Sequence, residues 1–337
     1  MDKRGLVGWL LLLVLGLALG FAPGPAGGSG QVSPLLPPSL PWNIQRIKAP
    51  QAWPITQGSP EIVVAVIDSG IDFSLPELAE VRWVNAKESL NSRDDDGNGY
   101  VDDLFGWDFR ENVPVHLRRT ALHPHGTAVA SVIAARAKEV VGVAPNVRIM
   151  DVRFLDSRGL FYERDWNKLA QAIDYAVANG AHIINLSLYA KNKPSKVVEE
   201  ALRRAWEKGV IVVTIAGNEG QARVNPLGAY DFVLTVSALD KADRRASFSN
   251  FGPEVDVAAP GAEIPVLLPK GAVGSLSGTS FAAPHVSGTL ALILSANPRL
   301  SAKEAVEVLL QTCEDLNAPE VGRGLVDTYQ AVTEARR

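Results

Sequence analysis

Four short segments carry side chains that could do nucleophilic chemistry if the fold brought them together. Asp68-Ser69-Gly70 directly follows the apolar run Ile62–Ile67, so a carboxylate leaves a strand and the chain then turns at Gly70. His125-Gly126-Thr127 opens a run to Ala134 that reads as a helix, and Gly126 permits another chain beside the imidazole. Ser280 lies among small residues in Gly278-Thr279-Ser280-Phe281-Ala282-Ala283-Pro284-His285, at the start of a second helical pattern. Backbone N–H groups at a helix start are unpaired and point at anions. Pro284 is expected to lie early enough for its missing N–H to cost little. Asn218 follows the apolar run Ile211–Ala216 and is flanked by Gly217 and Gly220, so its amide can be aimed at a carbonyl oxygen. A carboxylate, an imidazole, a hydroxyl and an amide are the parts of acyl transfer by a serine nucleophile.

Each part alone has a plainer use. Asp68 and Asn218 are ordinary turn residues, His125 a polar helix start, Ser280 an N-cap serine. His123 makes a His-x-His pair with His125. That opens a rival reading as a zinc hydrolase on His123, His125 and Asp68, weakened because the ligand set is not evident.

A second constellation suits a metal ion. Asp94 to Asp103 reads Asp-Asp-Asp-Gly-Asn-Gly-Tyr-Val-Asp-Asp, five carboxylates in ten residues. Such density repels unless solvated or neutralised by a cation. Asp94, Asp96 and Asn98 stand at positions 1, 3 and 5 of an EF-hand-like register, Gly99 at 6, and Tyr100 offers its carbonyl at 7. Position 12 is Phe105 rather than Glu, so Asp102 or Asp103 must close the shell. The expected ion is Ca2+, and a merely solvated acidic loop is the alternative.

The elements that must position these groups alternate in type. Glu61–Ile67, Val147–Phe154, His182–Leu188, Val210–Ala216 and Phe232–Val236 read as strands. Asp165–Asn179 places Leu169, Ile173, Ala176 and Val177 on one face, and Gly180 can cap it. Lys196–Lys208, Ser280–Ser295 and Ser301–Cys313 are further helices. Near-continuous apolar strands alternating with helices predict an α/β fold, a doubly wound and mostly parallel sheet with helices on both faces. In such sheets, functional groups collect at the carboxyl ends of the strands.

These segments resemble the subtilisin-like serine proteases (peptidase family S8). The likeness rests on Asp-Ser-Gly at Asp68, His-Gly-Thr-Ala-Val-Ala at His125, Ala-Gly-Asn at Asn218 and Gly-Thr-Ser-Phe-Ala-Ala-Pro at Ser280. Their order in the chain, acid then base then nucleophile, is that family's order. The likeness runs from about Trp42 to about Ala331, and Ser249-Asn-Phe-Gly252 and Ala259-Pro-Gly261 also fit. It implies a three-layer sandwich and an endopeptidase acting on proteins or peptides. Ser280 would be the nucleophile, His125 the general base, Asp68 its orienting acid, and Asn218 with the Ser280 N–H the oxyanion hole. It also implies a substrate cleft walled by Ser187, Leu188, Ala216 and Gly217. Tyr189 and Ile215 depart from the smaller residues usual there, and Ser131 from a glycine. The acidic loop resembles calcium-binding inserts of some bacterial members, with Asn85 and Glu88 fitting an upstream part of that pattern. No family role carries over to His123 or His285.

Composition bounds the partners. The formal charge is −4 from 37 acidic and 33 basic residues, too weak and too mixed for a nucleic-acid binder. Apolar residues are 47% and charged residues 21%, which excludes overall disorder. Cys313 is the single cysteine, so no intrachain disulfide exists. Lys3 and Arg4 precede an uncharged apolar run, Leu6–Ala22, between the length of a signal core and a span of roughly 20 residues. Residues 1–28 therefore read as a signal peptide or membrane anchor, 29–41 as a Pro-rich linker, and 42–337 as a catalytic domain. The expected product is an exported monomer that touches membrane only through an uncleaved leader. The linker leaves no room for a folding domain ahead of Trp42, so the chain is expected to fold unaided, with calcium or with another chain's help. An inactive calcium-dependent binding protein on the same scaffold is the alternative from outside enzymology.

Overall fold

The computed structural model describes residues 40–337; the leader and all but the last two linker residues lie outside the described part. Ten strands run along it: β1 Val63–Asp68, β2 Gly106–Asp108, β3 Val113–Pro114, β4 Arg148–Arg153, β5 Ile183–Leu186, β6 Ile211–Ile215, β7 Val233–Leu239, β8 Val257–Pro260, β9 Ile264–Leu267 and β10 Val273–Leu276. The α-helices are α1 Trp42–Arg46, α2 Ala49–Ala52, α3 Pro76–Ala79, α4 Pro124–Ala134, α5 Trp166–Ala178, α6 Lys196–Glu207, α7 Thr279–Ala296, α8 Ala302–Gln311 and α9 Thr328–Ala335.

Eight strands form one sheet in the order β3-β2-β4-β1-β5-β6-β7-β8. Every pairing is parallel except β2 with β3 at one edge. The apolar runs explain this. β1, β5, β6 and β7 are buried along their whole length because both faces are covered. One face, with Val64, Val66, Ile183, Val213 and Val236, packs on α4, α7, α8 and α9. The other, with Ala65, Ile67, Met150, Ile184 and Val212, packs on α5 and α6. The doubly wound, mostly parallel α/β sheet expected from the sequence is present. Each strand and helix expected from the apolar pattern is found, its ends shifted by a few residues at most.

β4 departs from a purely apolar strand. Asp151 and Arg153 are buried in it. Arg153 donates to Asp108 of β2 at 2.8 Å, and Arg118 donates to Asp151 at 2.8 Å. These ion pairs bind the insert of residues 85–122 to the strand beside β1. No helix among the described residues is long and apolar enough to cross a membrane.

Candidate active site

The sheet brings the four sequence-predicted groups to one side. β1, flanked by β4 and β5, ends at Asp68, which is fully buried. The N–H groups of Phe154 and Leu155, just past β4, donate to the Asp68 carbonyl at 2.7 and 2.9 Å and fix the strand end. Both carboxylate oxygens of Asp68 stand 2.9 Å from Nδ1 of His125. The Ser69 N–H adds a 2.7 Å bond to Oδ1.

His125 lies in the first turn of α4. The packing there shows why glycine follows it. A Cβ on Gly126 would stand 2.6 Å from the Gly70 carbonyl oxygen and 3.2 Å from Asp68 Oδ1. Ser69 stitches the same place, donating to the His123 carbonyl at 2.8 Å and accepting from the Gly126 N–H at 2.9 Å. Burial opposes a charge on His125, but the adjacent Asp68 carboxylate and its hydrogen bond outweigh that and hold the imidazole above its ordinary range.

Ser280 lies in the first turn of α7, just after Gly278, which caps that helix. Asn218 follows β6. Its Oδ1 accepts from both the N–H and the hydroxyl of Thr279, each at 2.8 Å. Those bonds settle the amide orientation and leave Nδ2 as the group free for a ligand. Asp68 orients the imidazole from behind, while His125, Asn218 and Ser280 line one cleft of about 290 Å³ together with His123, Leu155, Phe161, Leu188, Tyr189 and Ile215. A hydroxyl, an oriented imidazole and an amide donor around one cavity can attack a carbonyl and hold its oxygen.

The cleft wall differs in part from expectation. Ser187, Leu188 and Ile215 line it, but Ala216 is fully buried against Val224 and Val255. The Ser187 hydroxyl does not face outward; it donates to the Ser280 carbonyl at 3.0 Å. That carbonyl would otherwise accept from residue 284, a proline without an N–H. Pro284 therefore removes a real helical bond, contrary to the sequence expectation, and Ser187 supplies the replacement.

His285 is fully buried in α7. Its two nitrogens meet the Phe281 carbonyl at 2.7 Å and Asn43 Nδ2 at 2.8 Å. Burial pushes it down to about 4, so it is neutral, with Nδ1 donating and Nε2 accepting. His123 caps α4, accepting from the His125 N–H at 3.4 Å, and is held below its ordinary value by burial and then by His125.

The acidic loop folds around itself. Carboxylate oxygens of Glu88, Asp94 and Asp96 lie within 4.8 Å of one another. Glu88 Oε1 accepts from the N–H groups of Asp95 and Asp96 at 2.7 and 3.0 Å, while its Oε2 is buried without a partner. Burial, against those two bonds, holds the Glu88 carboxyl above its ordinary value, with Asp103 and Asp96 adding to it. Asn98 accepts from the Tyr100 N–H at 2.8 Å. Asp102 and Asp103 do not close this cluster. Asp102 accepts from the N–H groups of Asn91 and Ser92, both at 2.9 Å. Asp103 is buried and bonded to Asn85, Asn98 and the Tyr175 hydroxyl at 3.0, 3.0 and 2.7 Å. The sequence register thus reaches Asp94 and Asp96, and the third carboxylate comes from Glu88, upstream of it.

A model of the subtilase family matches residues 59–328. The chain is 36% identical over 288 residues to the "Thermophilic serine proteinase" of Bacillus sp. (strain AK1), covering 84% of this chain but only 64% of that protein. It is 33% identical over 290 residues to "Thermitase" of Thermoactinomyces vulgaris, 86% and 94% of the two chains. With "Subtilisin BL" of Lederbergia lenta the figures are 33% over 298 residues, 87% and 98%. With the family's fold, motif order and matched span all in place, the chain belongs to the subtilase family of serine endopeptidases.

Proposed function

We propose that the protein hydrolyses peptide bonds through an acyl-enzyme on Ser280. The carrying observation is the 2.9 Å pairing of Asp68 with His125 Nδ1, behind a cleft shared by His125, Ser280 and Asn218. With Nδ1 committed to Asp68, Nε2 is the nitrogen left to accept the Ser280 proton as Oγ attacks the carbonyl carbon. The developing oxyanion accepts from Asn218 Nδ2 and the Ser280 N–H. His125 then returns the proton to the departing amine, and water repeats the sequence to free the acid. Asp68 holds the imidazolium that forms on His125. Residues 42–337 form the catalytic domain, and the apolar leader within 1–28 exports it or anchors it outside the cytoplasm.

Calcium fits the acidic loop. The unpartnered Glu88 Oε2, packed beside Asp94 and Asp96, is an uncompensated buried acceptor that a hard cation would satisfy. Glu88, Asp94 and Asp96 would hold it, with the Asn98 side chain and Tyr100 carbonyl at the loop's remaining positions. The ion would rigidify the loop and takes no part in the peptide chemistry.

The test is labelling with a serine-directed fluorophosphonate beside casein digestion, for wild type and Ser280→Ala. Labelling and digestion confined to wild type are expected; either one persisting in the variant removes the assignment of Ser280.

A further inference from the structure

The slot that receives the substrate side chain next to the cleaved bond is built by two neighbouring strands. β5 and β6 pair in parallel, Leu186 beside Thr214; past their ends Leu188 and Tyr189 line the cleft, as does Ile215 at the end of β6. Buried Asn225 fixes their spacing. Its N–H donates to the Ala216 carbonyl and its Nδ2 to the Leu188 carbonyl, both at 2.7 Å, while its Oδ1 accepts from the Ala190 N–H at 3.0 Å. A carbonyl carbon attacked by Ser280 with its oxygen at Asn218 puts the adjoining side chain beside Gly217, the residue before Asn218.

That space is partly taken. The Tyr189 ring lines the cleft, and its Cε2 stands 3.1 Å from where a Cβ on Gly217 would lie, as does Glu219 Oε2, with Asn250 Nδ2 closer still. The Arg223 guanidinium donates to the Tyr189 hydroxyl at 3.3 Å from the far side. Behind the strand ends, Ala216 is buried with Val224 and Val255. An aromatic ring across a slot of fixed width leaves room for a methyl group or a hydroxymethyl, not for a second ring.

Resting on the reading of Ser280 and Asn218 above, we infer that Tyr189, braced by Arg223, restricts cleavage to bonds that follow small residues such as glycine, alanine or serine. The ring is the specificity-determining group; it touches no reacting atom.

The test uses tetrapeptide substrates that differ only in the residue before the scissile bond, alanine or phenylalanine. Wild type is expected to favour alanine over phenylalanine in kcat/KM by about tenfold or more, the scale on which pocket volume discriminates. Tyr189→Gly is expected to raise the phenylalanine-to-alanine ratio by about tenfold or more, and Tyr189→Phe, which keeps the ring, to leave it near wild type. A wild type that cleaves phenylalanine faster than alanine overturns the inference without any variant. So does an unchanged ratio in Tyr189→Gly. Fluorophosphonate labelling of each protein separates the failures. A labelled Ser280 with the wrong ratio sinks the slot assignment alone, whereas an unlabelled wild type sinks the Ser280 reading and this inference with it.

Discussion

The Ser187 hydroxyl donates at 3.0 Å to the carbonyl of Ser280, the acceptor that Pro284 leaves without its helical donor. The bond belongs to a buried chain: Ser287 donates to Asn185 Oδ1 and Asn185 Nδ2 to the Ser187 hydroxyl, both at 2.9 Å. It ties the end of β5 to the turn of α7 that holds Ser280. Ser187→Ala strands a buried carbonyl, expected to cost about 1–3 kcal/mol of stability and to lower kcat more than it raises KM. Pro284→Ala in the same chain restores a backbone donor and should recover part of the loss. A double-mutant cycle by thermal melting checks this, and strictly additive effects would show that the two residues do not share the carbonyl.

The rate should rise with pH through a midpoint above 6.5, because His125 acts as a base only when neutral and Asp68 holds its proton more firmly than usual. Stability runs the other way. A group whose folded pKa is raised contributes stability that is full below the unfolded value and is lost as pH rises through the folded value. Asp68→Asn should bring the kcat/KM midpoint down. An unshifted profile in that variant would show that Asp68 does not set it.

His285 gives the opposite sign at lower pH. It is neutral in the fold down to about 4, whereas an unfolded chain takes up the proton near 6.5. Its contribution is therefore full above about 6.5 and drains away as pH falls toward 4, by about 3 kcal/mol over that window. His285→Gln should flatten the melting temperature between pH 4 and 6.5. An equally steep curve in the variant would place the acid lability elsewhere.

Calcium should raise the melting temperature, and a chelator should lower it. Asp96→Ala and Glu88→Gln should each abolish most of that response, since they remove members of the carboxylate cluster. Asp102→Ala should retain it, because that carboxylate caps the 91–92 turn instead. A wild type indifferent to calcium removes the site.

Much of the fold was legible because buried parallel strands are nearly continuous apolar runs, as β1 up to Asp68 and β6 but for Thr214 are, and because α5 and α6 stop just before Gly180 and Gly209. The four polar segments of the cleft were legible as local motifs on strand ends and helix starts. What escaped was set by contacts between distant segments. The resemblance names Glu88 as an upstream fit, but that Asp102 turns to the N–H groups of Asn91 and Ser92, and Asp103 to Tyr175, was not visible. Asn43 reaches His285 across 242 residues. Asp151 and Arg153 lie in a segment that reads only as a strand, and the sheet order is what shows Asp108 as a partner of Arg153. The proline four residues after Ser280 reads as costing little; that it orphans a carbonyl, and that Ser187 answers it, comes only with the fold.

The sheet order has a consequence for how the chain comes into being. β1 is made early but lies between β4 and β5, which are made later, and its strand end carries Asp68. Ser280 arrives later still, on a helix packed against β5, β6, β7 and β8. During synthesis from the N-terminus the growing chain holds an acid and a base with no nucleophile from His125 until Ser280 is added. The helix that delivers the nucleophile is also the one that covers β5 to β8, so the cutting edge and the core over those strands are completed together.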